Sequence, residues 1–126
     1  MSEPIISIGA PAPIGPYSQA LASGGWLYCS GQIGVDPKSG DIVAGGVVAE
    51  ARQLLANLAA VLAEAGVGFA DVVKTTIYLV DLADFAAVNS VYAERFTAPF
   101  PARSTVGVAA LPRGARVEID AIAKLR

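Results

Sequence analysis

Two charged residues with apolar neighbours are the first candidates for chemistry in this 126-residue sequence. Arg103 follows Pro101 in a segment whose alternation predicts a strand, and Glu118 stands between Val117 and Ile119. An arginine fork can hold a carboxylate through two parallel hydrogen bonds, and a carboxyl group can accept and return a proton. The same pattern also fits a solvated or ion-paired arginine at a strand end and an outward-facing acid on an edge strand.

A short turn, Leu111-Pro112-Arg113-Gly114, separates the two strands that carry these residues. Consecutive strands with a short connection usually lie side by side. We therefore expect the two strands to pair and to bring Arg103 and Glu118 into one neighbourhood of the sheet. Glu118 and Asp120 are two positions apart, so they face the same side of their strand.

Five further residues are weaker candidates. Tyr17 follows Ile14-Gly15-Pro16 and could be only the aromatic anchor of a Pro-rich loop. Asn89 interrupts the apolar stripe of a predicted helix and could simply cap or solvate it. Ser30-Gly31 could be a plain turn, although exposed amides there would suit a carboxylate or carbonyl oxygen. Cys29 is predicted to be a small core residue, since nothing near it in the sequence lowers the pKa of a thiol.

The composition excludes several classes of site. The sequence has no histidine, which removes histidine bases, Ser-His-Asp triads and nearly all zinc sites. Neither GxGxxG nor GxxxxGK[ST] occurs, so no cofactor and no metal are predicted. The net charge of −2 argues against nucleic acid as a partner. No apolar run reaches the roughly 18 residues of a membrane span.

Sequence periodicity predicts the elements that must position the candidates, within one domain that spans residues 1–126. Apolar residues at three- and four-residue spacing predict a helix over Val48–Ala65, and a second helix is predicted from Asp81 through Phe96. Strands are predicted at Ser18–Ala22, Trp26–Ser30, Val72–Val80, Arg103–Val108 and Val117–Leu125. In the third of these strands, Val73, Thr75, Ile77 and Leu79 should share one face. The order is typical of an α+β domain with two helices on one face of a mixed sheet.

Charge content favours an oligomer. The chain is 54% hydrophobic and 16% charged, against roughly 25% charged residues in an average soluble domain. The sheet face without helices would also need a cover, and closed homo-oligomers are the commonest one. A single cysteine and an acidic N-terminal segment unlike a signal peptide or presequence fit a reducing, cytoplasmic location.

Five sequence segments occur together, in one order, over nearly the whole chain. They are Ala12–Gln19, Ser30–Ile33, Val73–Tyr78, Asp84–Asn89, and Pro101–Ser104 with Val117–Ile119 downstream. With these segments the chain resembles the RidA/YjgF family. The resemblance implies a chorismate-mutase-like α+β fold and a homotrimer with three sites in the clefts between subunits. It also implies hydrolysis of reactive 2-enamine and 2-imine acids, such as 2-aminoacrylate and 2-iminobutyrate, to 2-keto acids and ammonia without a cofactor.

The resemblance also implies roles for the matching residues. Arg103 would bind the substrate carboxylate, and Glu118 would orient and deprotonate the attacking water, kept ionised by the nearby arginine. Tyr17, Ser30, Gly31 and the backbone amide at Thr105 would line or polarise the site. Asn89 matches a recurrent asparagine of the family. Many members have cysteine where this chain has Thr105, so thiol chemistry is not expected there.

Two other functions compete with the deaminase. A trimer of this kind could bind small keto or amino acids as a regulator without turnover, but a binder needs only Arg103 and not Glu118 as well. Some relatives are credited with ribonuclease and translation-inhibiting activity. An acidic chain without histidine or a basic tract is a poor candidate for that activity.

Overall fold

A six-stranded mixed sheet forms the body of the protein, and two α-helices cover one of its faces. The structure is a computed structural model and describes residues 2–126. The strands are β1 (Glu3–Ile5), β2 (Ala20–Ser23), β3 (Trp26–Gln32), β4 (Val72–Leu79), β5 (Ala102–Gly107) and β6 (Val117–Lys124). The helices are α1 (Val47–Glu64) and α2 (Phe85–Tyr92), with short 3-10 helices at Phe69–Asp71, Leu82–Asp84 and Pro112–Gly114. The spatial order of the strands is β1-β2-β3-β6-β4-β5. The α+β prediction is confirmed.

Helix α1 lies within one residue of its predicted bounds. Its apolar stripe forms the centre of the core, where Leu54, Leu58 and Leu62 are completely buried. Gly66 follows the helix at φ 76°, the left-handed conformation that commonly ends helices. None of the helices within residues 2–126 combines the length and apolar character needed to cross a membrane.

The hairpin of β2 and β3 also follows from local sequence. Its two turn residues, Gly24 and Gly25, have φ values of 61° and 84°, which match the tight turn that suits twisted strands. β3 runs two residues beyond its predicted end at Ser30, and β2 is shifted from the predicted Ser18–Ala22. β1 was not predicted, because three residues at a sheet edge are too short to show a period.

Strands β5 and β6 do not pair, so the prediction that they do is wrong. β4 lies between them, parallel to β5 and antiparallel to β6. The connection over residues 108–116 arches across the end of β4, where Val108 N–H donates to Leu79 O and Val80 N–H donates to Arg116 O. This connection is long enough to step over one strand, which a tight hairpin turn could not do.

The second helix is shorter than predicted. Asp81 does cap a helical segment, since its Oδ1 accepts from Ala83 N–H at 2.9 Å, but that segment is the 3-10 turn Leu82–Asp84. α2 then ends at Tyr92. After Tyr92 the chain continues in hydrogen-bonded turns that bury Phe96. The apolar spacing therefore extends to Phe96 although the helix does not.

The two faces of the sheet differ in character. On β6, Val117, Ile119, Ala121 and Ala123 are buried beneath the helices, and the intervening residues face the open side, as predicted. On β4 a register shift between Val72 and Lys74 reverses part of the expected alternation. Val72 is therefore buried and Val73 exposed, which corrects the prediction that Val73 shares a face with Thr75, Ile77 and Leu79.

Candidate functional site

Arg103 lies on β5 with its side chain on the helix-covered side of the sheet. Its register partner is Thr75 of β4, a residue with no solvent exposure on that side. The Arg103 guanidinium donates from Nη1 to Asn89 Oδ1 at 2.8 Å. It also lies over two aromatic rings of α2, 5.4 Å from the centroid of Phe85 and 4.9 Å from that of Tyr92. The arginine is thus held by one helix and keeps further N–H groups for a ligand.

A groove of about 450 Å³ opens beside this guanidinium. Its lining is Asn89, Tyr92, Ala93, Phe100, Pro101 and Arg103. Thr105 is two residues further along β5 and so lies on the same side of the strand as Arg103. This part of the molecule supplies a cation and apolar walls, which suits the carboxylate end of a small acid.

Glu118 lies on β6 and faces the open side of the sheet, opposite Tyr78 of β4. Its half-buried carboxyl group rests against Gly31 of β3. A β-carbon at position 31 would stand 2.7 Å from Glu118 Cδ, closer than real β-carbons approach other atoms, and 3.0 Å from Cγ. Glycine at position 31 therefore leaves the space that the Glu118 carboxyl group occupies.

A β-bulge explains why Ser30 and Gly31 occupy this position. Cys29 pairs with Ala121 and Gln32 pairs with Ile119, so β3 has one residue more than β6 over this stretch. The Ser30 hydroxyl donates to Ser18 O at 2.6 Å. Ser30-Gly31 is thus a bulge within a strand and not the plain turn that was the alternative.

Gln19 ties the Pro-rich loop to this site and was missed by the sequence reasoning. It is 3% exposed; its Oε1 accepts from Ser7 N–H at 2.6 Å, and its Nε2 donates to Ser7 O and Pro11 O. An amide side chain within the predicted strand Ser18–Ala22 was the available signal. The loop that Gln19 fixes carries Tyr17, which is 53% exposed.

A second pocket, of about 540 Å³, joins these pieces. It is lined by the Pro-rich loop, the β3 bulge, β6 and the turn before β6, and it includes Tyr17, Ser30, Gly31 and Glu118. Four of the predicted site residues therefore meet in one pocket.

Glu118 has a carboxyl group that is harder to ionise than usual. Burial raises its pKa, and the negative charge of Asp120, on the same side of β6, raises it further. Tyr78 donates its hydroxyl to Asp120 Oδ2 at 2.9 Å. Arg103 was expected to keep Glu118 ionised. Within one chain it does not, because burial and Asp120 determine the Glu118 pKa and Arg103 does not contribute to it.

Arg103 and Glu118 face opposite sides of the sheet, with β4 between their strands. The prediction that they share one neighbourhood is therefore wrong for a single chain. Each chain holds the candidate residues in two separate groups: Arg103 with Asn89, and Glu118 with Tyr17, Ser30 and Gly31. Within residues 2–126 no three acidic or cysteine side chains gather closely enough to hold a metal ion.

Comparisons with known proteins agree on one family. The profile of the family described as Endoribonuclease L-PSP matches residues 7–125. The 2-iminobutanoate/2-iminopropanoate deaminase of Capra hircus is 56% identical over 114 residues, 90% of this chain and 83% of that protein.

Two solved structures have the same fold. The YjgF gene product of E. coli superposes with a TM-score of 0.91 at 46% identity, over 98% of this chain and 99% of that one. RidA from the Antarctic bacterium Psychrobacter sp. PAMC 21119 superposes with a TM-score of 0.94 at 42% identity, with the same coverage of both chains. The chain belongs to the Endoribonuclease L-PSP family, which confirms the resemblance to RidA/YjgF proteins.

Proposed function

We propose that this protein is a hydrolytic deaminase that converts 2-imine and 2-enamine acids, of the 2-iminobutyrate and 2-aminoacrylate type, to 2-keto acids and ammonia. The relatedness to a 2-iminobutanoate/2-iminopropanoate deaminase over 90% of the chain supports this activity. The structural observation that carries the proposal is the Glu118 carboxyl group, half-buried against Gly31 with a raised pKa at the wall of a pocket. Such a group can both take and return a proton.

The reaction needs little more than positioning and one proton carrier. Arg103 holds the substrate carboxylate, and Glu118 accepts a proton as water attacks the electrophilic imine carbon. The new C–O bond gives a tetrahedral carbinolamine. Glu118 then returns the proton to nitrogen, the C–N bond breaks and ammonia leaves, and the carbinolamine hydroxyl gives its own proton to the Glu118 carboxylate as the carbonyl of the 2-keto acid forms. An enamine enters this sequence after a proton from solvent at C3 converts it to the imine.

The same proposal requires more than one chain per site. Arg103 and Glu118 face opposite sides of the sheet, so one substrate can meet both only if two copies contribute one residue each. We propose a homotrimer with three such clefts. The open face of the sheet supports an association of copies, because Leu21, Trp26, Tyr28 and Val106 are all more than a third exposed there.

Roles for the remaining site residues follow from their places. Tyr17, Ser30 and Gly31 line the pocket beside Glu118, and the Thr105 amide lies on the arginine's strand. Asn89 orients the guanidinium through its 2.8 Å bond.

One buried thiol, Cys29, supports a reducing cytoplasmic location.

The deciding experiment is hydrolysis of an imine generated in situ from an amino acid, measured as ammonia release above the spontaneous rate. Wild type, Arg103→Ala and Glu118→Gln are compared on a panel of amino acids. We expect enhancement by wild type alone. Saturable binding of a 2-keto acid with no enhancement would instead support the regulatory binder.

Two further measurements complete the test. Light scattering should give the mass of three chains, and the mass of one chain would contradict the shared site. A matched RNA-cleavage assay addresses the alternative of an RNA-acting protein. Cleavage that persists in Arg103→Ala would place an RNA-acting site elsewhere.

A further inference from the structure

One face of α2 is devoted to the Arg103 guanidinium. Phe85, Asn89 and Tyr92 are separated by four and then three positions, which places them on one side of the helix. All three contact Arg103: the asparagine by a hydrogen bond and the two aromatic rings by cation–π geometry. This side of α2 has the spacing of ordinary core packing, but it also binds the Arg103 guanidinium.

The Tyr92 ring is itself fixed in place. Its hydroxyl is 2.8 Å from Thr75 Oγ1, and Thr75 has no solvent exposure and is the register partner of Arg103. On its other side Tyr92 stacks on Phe96, with ring centroids 4.1 Å apart and planes at 20°. Strand and helix thus fix the ring on which the guanidinium lies.

Fixing the arginine matters for binding an acid. A free arginine side chain has many rotamers, and immobilising it when the ligand arrives costs affinity. A planar fork meets a carboxylate with two parallel hydrogen bonds only if its plane and edge are already set. The asparagine bond uses one of the five guanidinium N–H groups and so defines which edge is presented.

We propose that Phe85, Tyr92 and Thr75 are positioning residues that clamp Arg103, so that a ligand carboxylate meets a preorganised guanidinium edge. The proposal rests on the proposed function for its ligand, a small 2-keto or 2-imine acid. The clamp itself is a property of the free protein. It can therefore be tested without any activity.

The direct test is the 15N heteronuclear NOE of the Arg103 Nε–H group, assigned by its loss in Arg103→Lys. We expect a rigid signal in wild type and a mobile one in Tyr92→Leu and Phe85→Leu. Tyr92→Phe keeps the ring but removes the hydrogen bond to Thr75, so its signal should lie between those of wild type and Tyr92→Leu. A mobile signal in wild type, or rigid signals in both leucine variants, would overturn the clamp.

Phe69→Leu is the matched control. Phe69 packs edge-to-face against Phe96 at 4.9 Å and lies beneath a different arginine, Arg95, at 5.6 Å. The substitution disturbs the same aromatic cluster without touching the rings around Arg103, so the Arg103 NOE should not change. Phe85→Leu keeps the test available if Tyr92→Leu does not fold, because Phe85 is 37% exposed.

The functional consequence is measured with 2-oxobutyrate as the probe and with the imine assay. We expect each leucine variant to weaken 2-oxobutyrate binding and raise KM by about 3- to 10-fold, the weight of a cation–π contact, with kcat changed less than 2-fold. A fall in kcat at unchanged KM would contradict a carboxylate-positioning role. If wild type hydrolyses no imine but the variants still mobilise Arg103, the proposed function fails and the clamp stands.

Discussion

The Glu118 carboxyl group rests directly against Gly31, at a distance that leaves no space for a β-carbon between the two strands. An added β-carbon would stand 2.7 Å from Glu118 Cδ. The neighbouring strand thereby acts as the back wall of the site. The bulge at Ser30-Gly31 sets where that wall stands.

Gly31→Ala should therefore disable the enzyme by displacing the carboxyl group. We expect kcat to fall at least about tenfold, and the free energy of unfolding to fall by about 1–3 kcal/mol, the usual cost of overpacking. Steady-state kinetics and thermal melts check both. Gly68→Ala is the control, because Gly68 has an extended backbone with φ −141° and open space around its α-carbon. Equal kinetics for the two variants would contradict the role of Gly31.

Arg103→Ala should remove most activity. Loss of a desolvated bidentate contact is expected to remove about 2–4 kcal/mol of transition-state stabilisation, which is measured as a fall in kcat/KM. Arg103→Lys keeps the charge but not the planar fork, so it should stay closer to alanine than to wild type. Arg52→Ala serves as the matched control, because Arg52 forms an exposed pair with Glu94 at 3.0 Å. Full rescue by lysine would show that a point charge suffices.

The pH dependence should report Glu118. The base must be ionised, and its raised pKa moves the acid limb of the kcat/KM profile above the pH at which an ordinary glutamate titrates. Asp120→Asn removes the charge that adds to the effect of burial, so the limb should move to lower pH. Tyr78→Phe keeps that charge and removes only the hydrogen bond to it. If the acid limb of the profile does not move in Asp120→Asn, Glu118 is not the base.

Glu118→Gln should lose turnover and gain stability. A carboxyl group whose pKa is higher in the folded chain binds more protons there than in the unfolded chain, so its effect on stability worsens as pH rises from the unfolded to the folded pKa. Above the folded pKa the wild type carries the whole of this penalty. The neutral amide of Glu118→Gln has no such penalty. The variant should therefore have a higher Tm than wild type, and the difference should shrink on acidification. A Tm difference that does not change with pH would contradict the shifted pKa.

Cys29 should be inert in the folded protein. Burial, and secondarily Asp120, raise the pKa of its thiol to about 12, so about one thiol in ten thousand is a thiolate at pH 8. We expect iodoacetamide at pH 8 to leave the native protein unlabelled and to label it fully in denaturant. Rapid native labelling would show that the strand opens.

Local sequence was enough for both helices, for all the strands except β1 and for most of the candidate residues. The three-four spacing of α1, the alternation of β6 and the paired glycines of the hairpin each express a period or a backbone requirement that neighbouring residues carry. The same alternation placed Glu118 on the face away from the core. These features need no knowledge of the rest of the chain.

Local sequence was not enough for the arrangement of the site. Whether β6 joins β5 or β4 depends on contacts between residues 38 to 51 positions apart, and the short link before Val117 favoured the wrong partner. The Gln19 bonds to the N-terminal loop and the stacking of Arg103 on α2 are non-local in the same way. The bulge in β3 also had no recognisable signature, since Ser-Gly occurs in many turns.

The opposite orientation of Arg103 and Glu118 has a genetic consequence. If each cleft of a trimeric ring takes its arginine from one copy and its glutamate from the next, two inactive alleles can repair each other. Random mixing of equal amounts of Arg103→Ala and Glu118→Gln chains would leave about a quarter of the clefts with both intact groups. A cell that carries both alleles would then keep more activity than a cell that carries either allele alone.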